Sequence, residues 1–166
     1  MALNSTLSTI LYIVFGIALA FGVNQGLGFV LSTDMPIVAV ESYSMVPTFY
    51  KGDILVLQGV PPKDLKVGDI IVFSTKEQPA PIVHRIVEIN DDGTFQTKGD
   101  ANSQQLSFEK SIKGGQVHGK EILIIPYLGW VKIGMVEFIL PNITYVIIGV
   151  VILIFGYILF QRYRNV

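Results

Sequence analysis

Two long apolar stretches, one near each end of the chain, limit what this sequence can fold into. Residues 7–31 and residues 138–160 contain no charged side chain, in a chain of 166 residues that is 51% hydrophobic. A helix of either length spans a hydrocarbon core of roughly 30 Å. The sequence therefore predicts transmembrane helices over 7–31 and 138–160, a separate domain over 32–137, and a short tail over 161–166.

The first apolar stretch has a second interpretation, a cleavable signal peptide. Its strictly apolar run, residues 10–23, is short, and Ala18 and Ala20 have the spacing of small residues at a cleavage site. The preceding segment, residues 1–9, contains no Lys or Arg, whereas a signal peptide begins with a positively charged region. This absence favours a retained anchor.

The charges after the second stretch predict its orientation. Arg162 and Arg164 follow it directly, and cytoplasmic flanks of membrane helices carry an excess of Arg and Lys. The C-terminus is therefore expected in the cytoplasm, and two spans return the N-terminus to the same side. The sequence predicts a multi-pass protein of the cell membrane with its middle domain on the extracytoplasmic side.

The middle domain reads as β structure. Short runs rich in Val and Ile recur between Gly, Pro and Asp, which is typical of strands. The runs are MPIVAV, DILVLQ, DIIVFS, IVHRIVEI, FQTK, KEILIIPY and WVKI. The sequence Asn-Asp-Asp-Gly at 90–93 predicts a hairpin between the fourth and fifth runs. The predicted fold class is mainly β: a compact antiparallel sheet domain flanked by N- and C-terminal transmembrane helices.

Composition excludes several kinds of chemistry. The 12 basic and 13 acidic residues give no field that would attract nucleic acid, so no nucleic-acid partner is expected. The absence of cysteine excludes disulfides, thiol catalysis and cysteine metal sites. There are two histidines, His84 and His118, and no helical H-E-x-x-H pattern, so no metal and no other cofactor is expected.

Ser44 is the first candidate for catalysis, because it directly follows the first predicted strand. A loop serine close to Pro47 is more often a simple turn residue. A serine nucleophile needs a base within hydrogen-bond reach and donors for the oxyanion. Ser44 is therefore catalytic only if one of the two histidines reaches it.

The two histidines differ in their sequence settings. His84 lies within the strand IVHRIVEI, so its side chain and that of Arg85 point to opposite faces of the sheet. A lone strand histidine is more often structural than catalytic. His118 lies in a glycine-rich segment and is expected to be a solvated loop residue. Asp100 could accept a hydrogen bond from a histidine ring, although an aspartate beside glycine is common in turns.

Four motifs, taken in order, closely resemble the type I signal peptidases. They are S-x-S-M-x-P-T at 42–48, G-D-I-x-V-F at 68–73, I-V-H-R-I-V at 82–87 and T-K-G-D-x-N at 97–102. Bacterial members carry a lysine in the third motif, where this chain has His84. The chain is therefore similar to the archaeal and endoplasmic-reticulum (Ser-His) type, which some Gram-positive bacteria also have.

The resemblance implies a membrane-bound serine endopeptidase that removes signal peptides from secretory preproteins. It implies that Ser44 is the nucleophile, His84 the general base and Asp100 the acid. The Ser42 hydroxyl and the Ser44 backbone N–H would bind the oxyanion. The residues expected to contact substrate lie on the first strand and near the catalytic pair: Pro36, Val38, Val40, Met45 and Val83.

The implied partners are secretory preproteins and the lipid bilayer. Membrane subunits are a third possible partner, because the endoplasmic-reticulum relatives work with such subunits. The resemblance leaves open whether this chain works alone.

The chain departs from the family pattern at two points. Tyr43 occupies the usual glycine position between the two serines, and the local geometry is in question if that position needs a positive φ. Relatives often have a second aspartate where this chain has Gln105 and Leu106, and Glu109 is the only acid nearby. By spacing, Asp100 is then the sole credible triad acid, or the site is a Ser-His dyad without an acid. Two rival interpretations stay open: a catalytically inactive, membrane-tethered β domain that binds peptides or partner subunits, and a purely structural envelope protein.

Overall fold

The structure, a computed structural model, describes residues 5–78 and 80–164. Its first element is the helix α1, Ser5–Leu31. The helix ends where Ser32 adopts a φ of 55°, and the N–H groups of Ser32 and Thr33 donate back to the carbonyls of Phe29 and Gly28. This pattern satisfies the last carbonyls of a helix that ends in a left-handed residue.

A six-stranded sheet follows, as the sequence predicts. Its strands are β1 Ile37–Ala39, β2 Ile54–Gln58, β3 Ile70–Phe73, β4 Ile82–Ile89, β5 Phe95–Lys98 and β6 Val117–Ile125. Their order across the sheet is β1-β2-β6-β3-β4-β5, and every neighbouring pair is antiparallel. The predicted hairpin joins β4 and β5, with Gly93 at a φ of 79°. The mainly β prediction for this domain is confirmed.

The prediction of a seventh strand at WVKI is wrong. Trp130–Ile133 forms the short helix α2 and continues into a π-helical segment, Gly134–Ile139. After β6 the chain turns at Tyr127, whose φ is 64°, and the Ile133 N–H then donates to the Gly129 carbonyl. A four-residue apolar run does not distinguish a strand from a buried helical turn, and local hydrogen bonds select the turn here.

The second apolar helix, α3, is Ile143–Arg164. It begins directly after Pro141 and Asn142, and Arg162 and Arg164 lie in its last turn. Residues 138 and 139 of the predicted span belong to the π-helical segment instead. Residues 7–31 of α1 and all of α3 are long and apolar enough to cross a membrane by length and composition.

Both faces of the central strand β3 are covered. Ile70 and Val72 pack into a first core cluster with Met45, Phe49 and the interior of β2. The alternate residues of β3, Ile71 and Phe73, pack into a second cluster on the other face. The pairing of β3 with β4 places His84 opposite Ile71 and Arg85 opposite Ile70. His84 therefore belongs to the second face and Arg85 to the first.

Candidate active site

The fold brings Ser44, in the loop after β1, next to His84 of β4. The Ser44 Oγ lies 3.0 Å from the His84 Nε2, and His84 is only 4% exposed. The Ser44 carbonyl accepts a hydrogen bond of 2.8 Å from the Ala101 N–H. The loop after β1 is thus fastened to the segment after β5, and the loop serine is within hydrogen-bond reach of a base.

The other nitrogen of the imidazole faces Glu109. His84 Nδ1 is hydrogen-bonded to the Glu109 Oε1, and Glu109 is 0% exposed. Because a carboxylate only accepts hydrogen bonds, Nδ1 carries the proton and Nε2 presents its lone pair to the Ser44 hydroxyl. The result is a hydroxyl–imidazole–carboxylate chain with the polarity of a serine protease triad.

The buried carboxylate has two further donors. The Thr97 hydroxyl donates to Oε1 at 3.2 Å and the Leu106 N–H donates to Oε2 at 2.8 Å. Glu109 itself lies in the 3-10 turn Ser107–Lys110. Buried polar groups need hydrogen bonds to compensate for lost water, and these donors provide them for the carboxylate behind His84.

Asp100 does not contact His84, contrary to the sequence expectation. Its carboxylate accepts hydrogen bonds from Arg85 Nε at 2.9 Å and Arg85 Nη2 at 2.7 Å, and from the Thr48 hydroxyl at 2.5 Å. Strand alternation explains this, because Arg85 and His84 point to opposite faces. The Arg85 hydrogen bonds hold the pKa of the Asp100 carboxyl below its usual range, and Asp100 in turn raises the pKa of Arg85.

The contacts of Asp100 hold the loop that carries Ser44 in place. Thr48 belongs to the loop that carries Ser44, and the Asp100 N–H also donates to the Met45 sulfur at 3.4 Å. Asp100 and Arg85 therefore hold this loop against the end of β5. Met45 is buried in the first core cluster, beneath the loop.

Ser42 lies beside the nucleophile candidate. Its Oγ is 3.2 Å from the Ser44 Oγ, close to where a reacting carbonyl would meet Ser44. Between them, Tyr43 has no left-handed backbone, since Ser32 and Tyr127 are the non-glycine residues with positive φ in the described part of the chain. A tyrosine at this position is therefore unstrained, and its side chain is exposed.

A cleft of about 560 Å³ opens beside Ser44 and His84. Three of the residues predicted to contact substrate line it: Val38, Val40 and Val83. Pro36 precedes β1, where its carbonyl accepts the Leu57 N–H. Ser44 and His84 also line the cleft, so a peptide lying in it reaches the reacting atoms.

Two open strand edges face this cleft. Residues 36 and 40 are hydrogen-bonded toward β2, so the N–H and C=O groups of Ile37 and Ala39 point away from β2. In β4, residues 82–84 pair with β3 on one side. Pairing with β5 on the other side begins only at Arg85, so the edge of residues 82–84 that faces away from β3 is open. Exposed strand edges bind extended peptides through main-chain hydrogen bonds.

Gly99 is a site residue that the sequence reasoning missed. A Cβ atom at this position would lie 2.6 Å from the Ser44 carbonyl oxygen and 2.8 Å from the His84 Nε2. A side chain at this position would have to displace Ser44 or His84. The signal available in the sequence was the glycine of T-K-G-D, which was read only as a neighbour of Asp100.

His118 was expected in a solvated loop, but it lies in β6 and is partly buried. Its ring contacts Ser74 and Asp34. Among residues 5–78 and 80–164, no group of three or more His, Asp or Glu side chains is arranged to hold a metal ion.

Comparisons with known proteins place this chain among signal peptidases. Residues 7–93 match the family described as signal peptidase, peptidase S26. The chain is 33% identical over 149 residues to the signal peptidase complex catalytic subunit SEC11C of Rattus norvegicus, covering 83% of this chain and 74% of the rat protein. It is 30% identical over 169 residues to the corresponding subunit sec11 of Schizosaccharomyces pombe, covering 86% of this chain and 88% of the yeast protein.

Proposed function

Because this chain belongs to the signal peptidase family, peptidase S26, we propose that it is a membrane-bound serine endopeptidase that removes signal peptides from secretory preproteins. The printed names of its relatives describe catalytic subunits of a signal peptidase complex. The observation that carries the proposal is the chain from Ser44 through His84 to Glu109 at the cleft.

The substrate segment binds as an extended strand in the cleft. Its main chain pairs with the open edge of β1 and with the start of β4. Val38, Val40 and Val83 give the cleft short apolar walls. Such walls suit small side chains before the cut, in agreement with the family resemblance.

The reaction starts at the Ser44 hydroxyl. His84 Nε2 takes its proton while Oγ attacks the carbonyl carbon, and the Ser42 hydroxyl with the Ser44 N–H stabilises the oxyanion. His84 then gives the proton to the leaving amine, which departs as the new N-terminus. A water molecule hydrolyses the acyl-enzyme by the same proton route.

Glu109, and not Asp100, is the acid in this proposal. Its hydrogen bond holds the imidazole with the proton on Nδ1 and stabilises the imidazolium that forms during attack. Asp100 acts at a distance by bracing the Ser44 loop through Thr48 and Arg85. Ser44, His84 and Glu109 therefore work as a triad, and the site is not a Ser-His dyad.

The two apolar helices anchor the enzyme in this proposal. Both spans cross the membrane, Arg162 and Arg164 face the cytoplasm, and the domain over 32–137 is extracytoplasmic. Tyr127 and Trp130 are partly or largely exposed next to the second span, where aromatic side chains favour the membrane interface. The site then lies near the surface at which a signal helix ends, and membrane subunits are candidate partners.

Preprotein cleavage in reconstituted membranes tests the proposal. Ser44→Ala and His84→Ala should each remove nearly all activity, because losing a triad member costs many decades of rate. Ser103→Ala, at an exposed loop serine, is the matched control and should cleave normally. Full activity in either variant would reject the assignment of Ser44 and His84 as the catalytic pair. A wild-type chain that cleaves no preprotein would leave the inactive, peptide-binding β domain as the better description.

A further inference from the structure

A second chain of hydroxyl, imidazole and carboxylate lies outside the proposed active site. The Ser74 Oγ is 2.9 Å from the His118 Nε2, and His118 Nδ1 is 2.9 and 3.1 Å from the two carboxylate oxygens of Asp34. Since the carboxylate only accepts, Nδ1 donates to Asp34 and Nε2 accepts from the Ser74 hydroxyl. The order of groups is the same as in the chain that ends at Glu109.

Three separate segments bring these groups together. Asp34 lies between α1 and β1, His118 lies in β6, and Ser74 directly follows β3. The His118 carbonyl accepts a hydrogen bond of 2.7 Å from the Thr33 hydroxyl. The Ser74 N–H donates to the Gln116 carbonyl at 3.1 Å, so the serine and the imidazole are both held by the sheet.

Ser74 and His118 line a second cleft of about 660 Å³. Phe108 borders both clefts and separates this one from the active-site cleft. Among the described residues that line it, Lys76 and Lys113 are cationic and Glu77 is anionic. The lining therefore favours a small ligand with negative charge.

We propose that Ser74 is a second nucleophilic serine, activated by His118 and Asp34, which accepts acyl groups from small anionic esters. Oγ forms a bond to the ester carbonyl carbon and its proton passes to the His118 Nε2. The carbon–oxygen bond to the alcohol breaks, and the alcohol leaves with that proton. Water then releases the acyl group as a carboxylic acid by the same route.

This reaction is slower than acylation of Ser44. The Ser74 N–H already donates to the Gln116 carbonyl, so the oxyanion depends on the cations of the cleft. Asp34 is 64% exposed and His118 is 22% exposed in their side chains. Water therefore competes for the hydrogen bond that orients the imidazole.

Ser44→Ala enzyme of full length, treated with mono(4-nitrophenyl) terephthalate or neutral 4-nitrophenyl benzoate, tests the proposal, because neither ester can cyclise onto its own carboxylate. We expect an acyl adduct on Ser74 by peptide mass spectrometry, faster with the anionic ester than with the neutral one. Adding Ser74→Ala should remove the adduct. Adding His118→Gln should slow nitrophenolate release about 10²-fold, the usual contribution of a general base.

Two further variants keep the result interpretable. Ser107 lines the same cleft, so adding Ser107→Ala should leave the adduct in place. Asp34→Asn changes an exposed carboxylate, and it tests the activation of Ser74 through His118 if His118→Gln does not fold. The proposal would be overturned if Ser74 stayed unmodified, or if neither His118→Gln nor Asp34→Asn lowered the rate of nitrophenolate release. Faster reaction of the neutral ester would overturn the proposed substrate class. Because Ser44 is absent throughout, these outcomes are independent of preprotein cleavage.

Discussion

The two Ser-His-carboxylate chains of this molecule differ mainly in burial. At the first, His84 and Glu109 are almost fully removed from water, and Thr97 and Leu106 add donors to the carboxylate. At the second, Asp34 is largely exposed. Hydrogen bonds gain strength in a low-dielectric interior. We therefore expect the same three groups to transfer a proton faster at the first proposed site than at the second.

The surroundings of the two serines differ as well. Ser44 lies at a cleft that two open strand edges border, so an extended peptide finds main-chain partners there. Ser74 follows β3, and its own N–H donates to the Gln116 carbonyl. The first site is thus suited to a polypeptide and the second to a small molecule.

A large effect on the first site alone is expected at Gly99. Gly99→Ala places a methyl group against the Ser44 carbonyl and the His84 ring, and displacement of reacting groups by about 1 Å costs roughly 10²-fold in rate. Preprotein cleavage should fall by about that factor. Gly115→Ala is the control, because a Cβ there meets nothing within 4 Å, and it should cleave normally. Equal activity of the two variants would mean that the close approach at Gly99 is unimportant.

A smaller effect is expected at Asp100, which braces the first site without touching the imidazole. Asp100→Asn removes a charge from the Arg85 pair and should lower the free energy of unfolding by about 1–3 kcal/mol. Urea denaturation at neutral pH measures this difference.

The difference should also depend on pH with a defined sign. The pKa of Asp100 is lowered in the folded protein by Arg85, so its stabilisation is present above the unfolded value near 3.9 and is lost as pH falls through the lowered folded pKa. Wild type and Asp100→Asn should therefore converge in stability under acid. A constant difference down to the lowest accessible pH would contradict this origin.

The smallest effect is expected at Asp34, the exposed carboxylate of the second Ser-His-carboxylate group. Asp34→Asn should change the free energy of unfolding by less than about 1 kcal/mol, because solvent-exposed ion pairs contribute little. Thermal unfolding in 0.05 and 0.5 M salt is a suitable measurement. A loss of several kcal/mol would show that Asp34 is a structural link between α1 and the sheet.

Local patterns were sufficient to predict much of the fold. Alternation of Val and Ile between turn residues predicted the six strands, and uncharged length predicted α1 and most of α3. The run WVKI failed because four apolar residues fit a strand and a helical turn equally well. The path of the chain after Tyr127 decides between them.

The candidate site could be predicted where strand alternation determines to which face of the sheet a side chain points. His84 could be assigned to a sheet face, and the motif order paired it with Ser44. The acid could not be found in this way, because Glu109 reaches His84 only through the 3-10 turn after β5. Asp100 was the nearer acid in the motif, yet it pairs with Arg85 on the opposite face. His118 was misread for a similar reason, since a glycine-rich segment does not reveal that β6 begins there.

The kinetics of Glu109→Gln and Asp100→Asn, compared in one preprotein cleavage assay, test the central claim most directly. Glutamine at 109 presents an N–H to the imidazole, so kcat should fall roughly 10³- to 10⁴-fold with little change in KM, as for the loss of an orienting acid. Glu109→Asp should restore part of kcat, and Asp100→Asn should stay within about tenfold of wild type. Near-normal kcat in Glu109→Gln, or an equal collapse in Asp100→Asn, would contradict the assignment of Glu109 as the acid behind His84.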